Sequence, residues 1–86
     1  MKARNCPKCD PSNAAITGQD LSWTDLSGAN LSGADLSNTN LYDANLSGAN
    51  LKGAKIPGAN FAGSDLSDAV WVDGKKCKSG STGICK

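Results

Sequence analysis

Ala29-Asn30-Leu31-Ser32-Gly33-Ala34-Asp35-Leu36-Ser37-Asn38-Thr39-Asn40-Leu41 carries the pattern that decides the fold. An apolar residue returns at every fifth position, and the same frame extends outward on both sides without a slip. Ahead of it stand Ile16, Leu21 and Leu26; after it come Leu46, Leu51, Ile56, Phe61, Leu66 and Trp71. Two places before each of these twelve positions sits a small side chain, Ala, Ser or Thr, with Gln19 as the exception.

A period of five suits neither regular element. On an α-helix it advances each Leu by about 140° and smears the apolar set around the axis. In a flat strand an odd period sends successive Leu residues to opposite faces, which the polar residues between them do not allow. A chain that turns a corner once per repeat does fit. Two places after the apolar residue, eleven of the twelve positions hold Gly, Asn or Asp, from Gly18 to Asp73. These types tolerate the positive φ needed at the third residue of a type II turn, as in Leu31-Ser32-Gly33-Ala34. Trp23 alone breaks the rule, and a different turn type or backbone strain is expected there.

The run of Ala-Asn-Leu-Ser-Gly and Ala-Asp-Leu-Ser-Gly units from Ala14 to Asp73 resembles the pentapeptide-repeat family. The resemblance implies an all-β fold, a right-handed quadrilateral β-helix in which four repeats form the four sides of one coil. Twelve repeats then make three coils, with inward columns Ile16-Leu36-Ile56, Leu21-Leu41-Phe61, Leu26-Leu46-Leu66 and Leu31-Leu51-Trp71. At about 4.8 Å per coil the repetitive body is about 14 Å long. Stacked amide ladders are expected for Asn40 over Asn60 and Asn30 over Asn50, and an exposed ion pair for Asp35 and Lys55.

The expected organisation is an N-terminal cap at 1–13, the twelve-repeat solenoid at 14–73 and a C-terminal cap at 74–86, because a solenoid exposes its core at both ends. All four cysteines lie in these flanks: Cys6 and Cys9 in one, Cys77 and Cys85 in the other. Three readings of them compete. A zinc site asks all four sulfurs to come within about 2.3 Å of one ion, although the pairs sit at opposite ends of the body. A redox role for Cys6-Pro7-Lys8-Cys9 lacks the βαβ context of such motifs. Two structural disulfides, Cys6–Cys9 and Cys77–Cys85, are favoured, the second pinning a loop that folds back over Val70 and Val72. No metal and no other cofactor is expected.

Disulfides in a chain of 86 residues suggest an extracytoplasmic home, periplasmic, lumenal or secreted, since cytosolic thiols are kept reduced. The N-terminus Met1-Lys2-Ala3-Arg4 contains no apolar signal segment, and no apolar run approaches the roughly 20 residues of a membrane span. The formal charge of +1 divides unevenly: residues 11–74 carry seven acids and two bases, while lysines and Arg4 crowd both ends.

Catalysis finds no support, because the chain has no His and no Ser or Cys stands beside an evident activating base. The expected function is a non-catalytic structural or protein-interaction module. The outward aromatics Trp23 and Tyr42, one coil apart on the same side, are the candidate partner-binding residues. The partner class is another protein, with neither nucleic acid nor membrane bound, and the expected state is a monomer. Two alternatives stand beside this reading. One is a small CxxC redox protein. The other, implied by the resemblance, is a DNA mimic that binds a topoisomerase. The acidic body suits mimicry, but about 14 Å matches only about four base pairs.

Overall fold

The structure is a computed structural model that describes Asp10 and residues 12–86. Parallel bridges join residues twenty apart: Asp20 to Asn40 to Asn60, Asp25 to Asn45 to Asp65, Asn30 to Asn50 to Val70, and Asp35 to Lys55. Each coil therefore takes twenty residues and has four sides. We number them coil 1 (14–33), coil 2 (34–53) and coil 3 (54–73). The same turn geometry also takes in Ser12 and Asn13, with φ +61° at Asn13 and its amide bonded to Ser32 O at 2.9 Å.

Each corner is a β-turn closed by the amide three residues after the core position, as from Ala34 N to Leu31 O at 3.1 Å. Gly33 at its third place has φ +69°, the value anticipated from sequence for that turn. One correction concerns Asp73. It is not among the positive-φ residues; Gly74 is, at +87°, because the chain leaves the coil there and turns back.

The repeat satisfies all five of its backbone donors, which explains why its residue types recur. In the unit 31–35, Leu31 N donates to Asn50 O (2.7 Å), Gly33 N to Lys52 O (2.9 Å) and Asp35 N to Ala14 O (2.9 Å). Ala34 N closes the turn, and Ser32 N donates to Asn30 Oδ1 at 3.1 Å. Where an Asn or Asp precedes the core residue, as at nine of the twelve positions, it is thus an acceptor for the amide two places on, an Asx turn. The Ser hydroxyl there joins the same oxygen, as in Ser37 Oγ to Asp35 Oδ1 at 2.6 Å. Where this position is Lys55 and no such acceptor exists, residue 57 is Pro, which has no N–H to satisfy.

The expected amide stacks are present, with the Asx role taking most of their side-chain bonding. Asn60 Nδ2 reaches Asn40 Oδ1 only at 3.5 Å, while both oxygens serve local turns. Asn30 and Asn50 stack through a backbone bridge, and their side-chain oxygens face Ser32 and Lys52. Asp35 and Lys55 likewise meet through the backbone. Hydrogen bonds from Ser37 hold the Asp35 carboxyl below its usual range, and the Lys55 charge is the smallest influence on it.

The inward columns are those expected. Leu36, Leu41, Leu46 and Leu51 of coil 2 are completely buried, while Ile16, Leu21, Ile56 and Trp71 of the outer coils are partly buried. Small residues two places earlier fit because the corner brings the backbone close to the axis. Where they are Thr or Ser the hydroxyl also works: Thr39 Oγ1 donates to Ile16 O at 2.8 Å and Ser64 Oγ to Leu41 O, each reaching one coil back.

The C-terminal segment folds back as expected, antiparallel to coil 3. It bridges Lys76 to Val70 and Thr82 to Asp65, burying Cys77 and Ser81. Val70 and Val72 are half-buried next to it. Cys77 and Cys85 form the anticipated disulfide, with Cα atoms 4.9 Å apart. The Cys6–Cys9 expectation lies outside the described residues.

Candidate interaction surface

Trp23 is placed by the coil rather than by its own preferences. It occupies the third position of the turn Leu21-Ser22-Trp23-Thr24, closed by Thr24 N to Leu21 O at 3.2 Å. Its φ is +63°, so the corner is of the same kind as its glycine-bearing neighbours. The expectation of a different turn type is thereby corrected, and its companion, backbone strain, is what the chain adopts: a bulky side chain in the left-handed region is disfavoured. The register leaves no other choice, since Trp23 N must donate to Tyr42 O, as it does at 2.9 Å.

Tyr42 occupies the second turn position one coil on, where its amide is held by Asn40 Oδ1 at 3.0 Å. The two rings meet edge to face, with centroids 5.7 Å apart and planes at 77°. This geometry suits the aromatic quadrupole, yet it buries little: Trp23 remains 65% and Tyr42 43% exposed. Sequence placed the two together correctly. The corner next to them in coil 2 is Asp43, also at positive φ (+54°), so the aromatic pair borders a carboxylate. Asp25, two residues beyond Trp23, has its carboxyl held below the ordinary range by hydrogen bonds from Ser27.

Among the described residues, the other large exposed apolar side chain is Ile84, 61% exposed in the C-terminal cap. Its position gave no signal in the sequence, because it lies outside the five-residue frame. Phe61 and Trp71 form a second edge-to-face pair at 5.3 Å and 64°, but these rings face inward and close the end of the core.

The family model of pentapeptide repeats, in eight copies, matches residues 5–33, 20–56 and 44–70. Among solved structures, the pentapeptide repeat protein Rfr23 from the cyanobacterium Cyanothece 51142 is 40% identical, with 79% of this chain and 51% of that one covered and a TM-score of 0.47. A pentapeptide repeat protein of the Arabidopsis thaliana thylakoid lumen is 30% identical, with coverage of 98% and 68% and a TM-score of 0.43. HetL, a pentapeptide repeat protein involved in heterocyst differentiation regulation in Nostoc sp. strain PCC 7120, is 22% identical, with coverage of 84% and 53% and a TM-score of 0.32. The chain therefore spans about half the length of the first and third. No curated protein matches the sequence.

Proposed function

The chain belongs to the pentapeptide-repeat family of right-handed quadrilateral β-helices, and from that premise we propose that it is a non-catalytic interaction module presenting the Trp23–Tyr42 corner to a partner protein. The observation that carries the reading is the exposure of Trp23 at a strained turn. Most corners of this type carry Gly, Asn or Asp, so a Trp there sacrifices backbone comfort without gaining burial. Aromatic anchors of this kind dominate binding energy at protein interfaces. The module acts in an oxidising, extracytoplasmic compartment. The Cys77–Cys85 disulfide supports this, as does the lumenal source of the Arabidopsis relative.

The test compares the native protein with the double variant Trp23→Ser/Tyr42→Ser as bait in extracts of the native compartment. The expected result is a protein retained by the native bait and lost by the variant, at unchanged thermal stability. A variant that loses several kilocalories of stability, or retains the same partner, contradicts the reading.

A further inference from the structure

Trp23 and Asp43 occupy the same corner position one coil apart, with Tyr42 beside Asp43 and the backbones joined from Trp23 N to Tyr42 O at 2.9 Å. The two rings meet edge to face, an arrangement that covers one ring face of four, and Trp23 keeps 65% of its surface in solvent. Asp43 differs from the acids of the turns. Asp20, Asp25, Asp35 and Asp65 each accept the amide two places on, whereas Asp43 stands at the corner itself, at φ +54°. No described residue donates a hydrogen bond to its carboxylate, which lies against Gly63, where a methyl group would run into it.

On the two faces that meet at this corner, residues 19–26, 39–46 and 59–66, the charged residues are Asp20, Asp25, Asp43 and Asp65, with no lysine or arginine. The described lysines stand elsewhere. Lys52 is at the diagonally opposite corner, where its carbonyl takes the Gly33 amide (2.9 Å), and Lys55 is bridged to Asp35 on an adjoining side. Lys75 and Lys76 lie over Trp71 and Val70. Lys78 and Lys86 meet at Ser81 over Leu66, three layers and about 14 Å along the axis from Trp23. Lys2, Arg4 and Lys8 lie outside the described residues. An acidic partner is therefore repelled at this corner, and an apolar one would strip water from Asp43 without replacing it. An isologous second copy would set the same acids against themselves.

Resting on the reading of this corner as the partner site, we propose that it receives an arginine from a basic segment of the partner protein. The guanidinium stacks on an open ring face of the Trp23–Tyr42 pair and pairs with the Asp43 carboxylate. Coils stand about 4.8 Å apart, so one planar cation spans ring and carboxylate. Arginine suits the place better than lysine, because its plane lies flat on an aromatic ring while its fork bonds a carboxylate. Asp20, Asp25 and Asp65 add the field that draws a basic segment toward this side of the solenoid.

The test titrates the blocked peptide Gly-Arg-Gly-Arg-Gly to about 5 mM into the full 15N-labelled chain. Shifts are expected at the Trp23 indole and at the amides of Trp23, Tyr42 and Asp43, with the Trp71 indole unmoved. Replacing each arginine by citrulline keeps the planar shape, removes the charge and weakens binding at least about tenfold. Asp43→Asn weakens the arginine peptide about threefold and leaves the citrulline peptide unchanged. That variant keeps its corner, since Asn38 holds φ +59° at the equivalent place. Equal binding of the two peptides overturns the proposal and leaves the partner site itself standing, whereas retention of the natural partner by Trp23→Ser/Tyr42→Ser removes both. Equal shifts at the Asp68 corner, which has a carboxylate and no ring, reduce the effect to charge alone and contradict the proposal. So do Overhauser contacts from Lys2, Arg4 or Lys8 to the Trp23 ring in the free chain, which make the chain's own start the occupant, and shifts that follow protein concentration alone, which mark a second copy.

Discussion

Trp23 shows how completely a repeat can overrule a residue. Its side chain gains an edge-to-face contact with Tyr42, worth about 0.5–1.5 kcal/mol, and gives up about 1–3 kcal/mol in backbone strain. The two are close to balance, so Trp23→Gly is expected to leave chemical-denaturation stability unchanged or raised by about 1 kcal/mol. A loss beyond about 1 kcal/mol would show that the ring packs rather than waits. Gly63 marks the opposite case. It holds φ +74°, and a methyl group there runs into the Asp43 carboxylate. Gly63→Ala therefore combines strain with a clash and is expected to cost at least about 1 kcal/mol in the same assay.

Within one repeat, the Asx residue decides whether the corner is satisfied. Asp25 and Asp35 accept the amide and hydroxyl of Ser27 and Ser37, and those bonds lower both carboxyl pKa values below 3.8. A pKa lower in the folded than in the unfolded state stabilises the fold above the unfolded value. That contribution is lost as pH falls through the folded value. Stability is thus expected to be flat near neutrality and to decline below about pH 4. The pair Asp25→Asn/Asp35→Asn keeps the turns, since Asn30 and Asn45 serve identically, and flattens that decline; an unchanged acid profile contradicts this assignment. The turn residues were legible in the sequence because positive φ selects Gly, Asn and Asp. The Asx bonds were not, because Asn and Asp suit a stacked ladder as well as a local turn and only coordinates separate the two. The pairing of Lys55 with Pro57 offered a signal: the missing acceptor and the missing donor fall in the same repeat.

Across the molecule the core is a single file of four columns, so each buried Leu holds two neighbouring coils. Leu46, fully buried between Leu26 and Leu66, is expected to cost about 2–5 kcal/mol on conversion to Ala. That is a large share of the stability of so small a domain. The Cys77–Cys85 bridge, eight residues apart, holds the hairpin that shields half of coil 3. Cys77→Ala/Cys85→Ala is expected to lose about 2–3 kcal/mol, read by denaturant midpoint, and to expose the amides of Leu66 and Trp71 to exchange before those of coil 2. The inward positions followed from the period of five, the coil number and columns from the resemblance to the pentapeptide-repeat family, and the folded-back cap from the cysteine-bearing flank. The antiparallel register of that cap did not, because the frame ends at Trp71 and nothing in 74–86 repeats.

Methyl–methyl nuclear Overhauser contacts in a selectively labelled sample test the central claim most directly. The account predicts contacts between Leu26 and Leu46 and between Leu46 and Leu66, each pair twenty residues apart on coils joined by the Asp25–Asn45–Asp65 bridges, with all three methyl groups shielded from a soluble paramagnetic probe. Contacts at helical spacing, or Leu46 methyl groups broadened by that probe, contradict it.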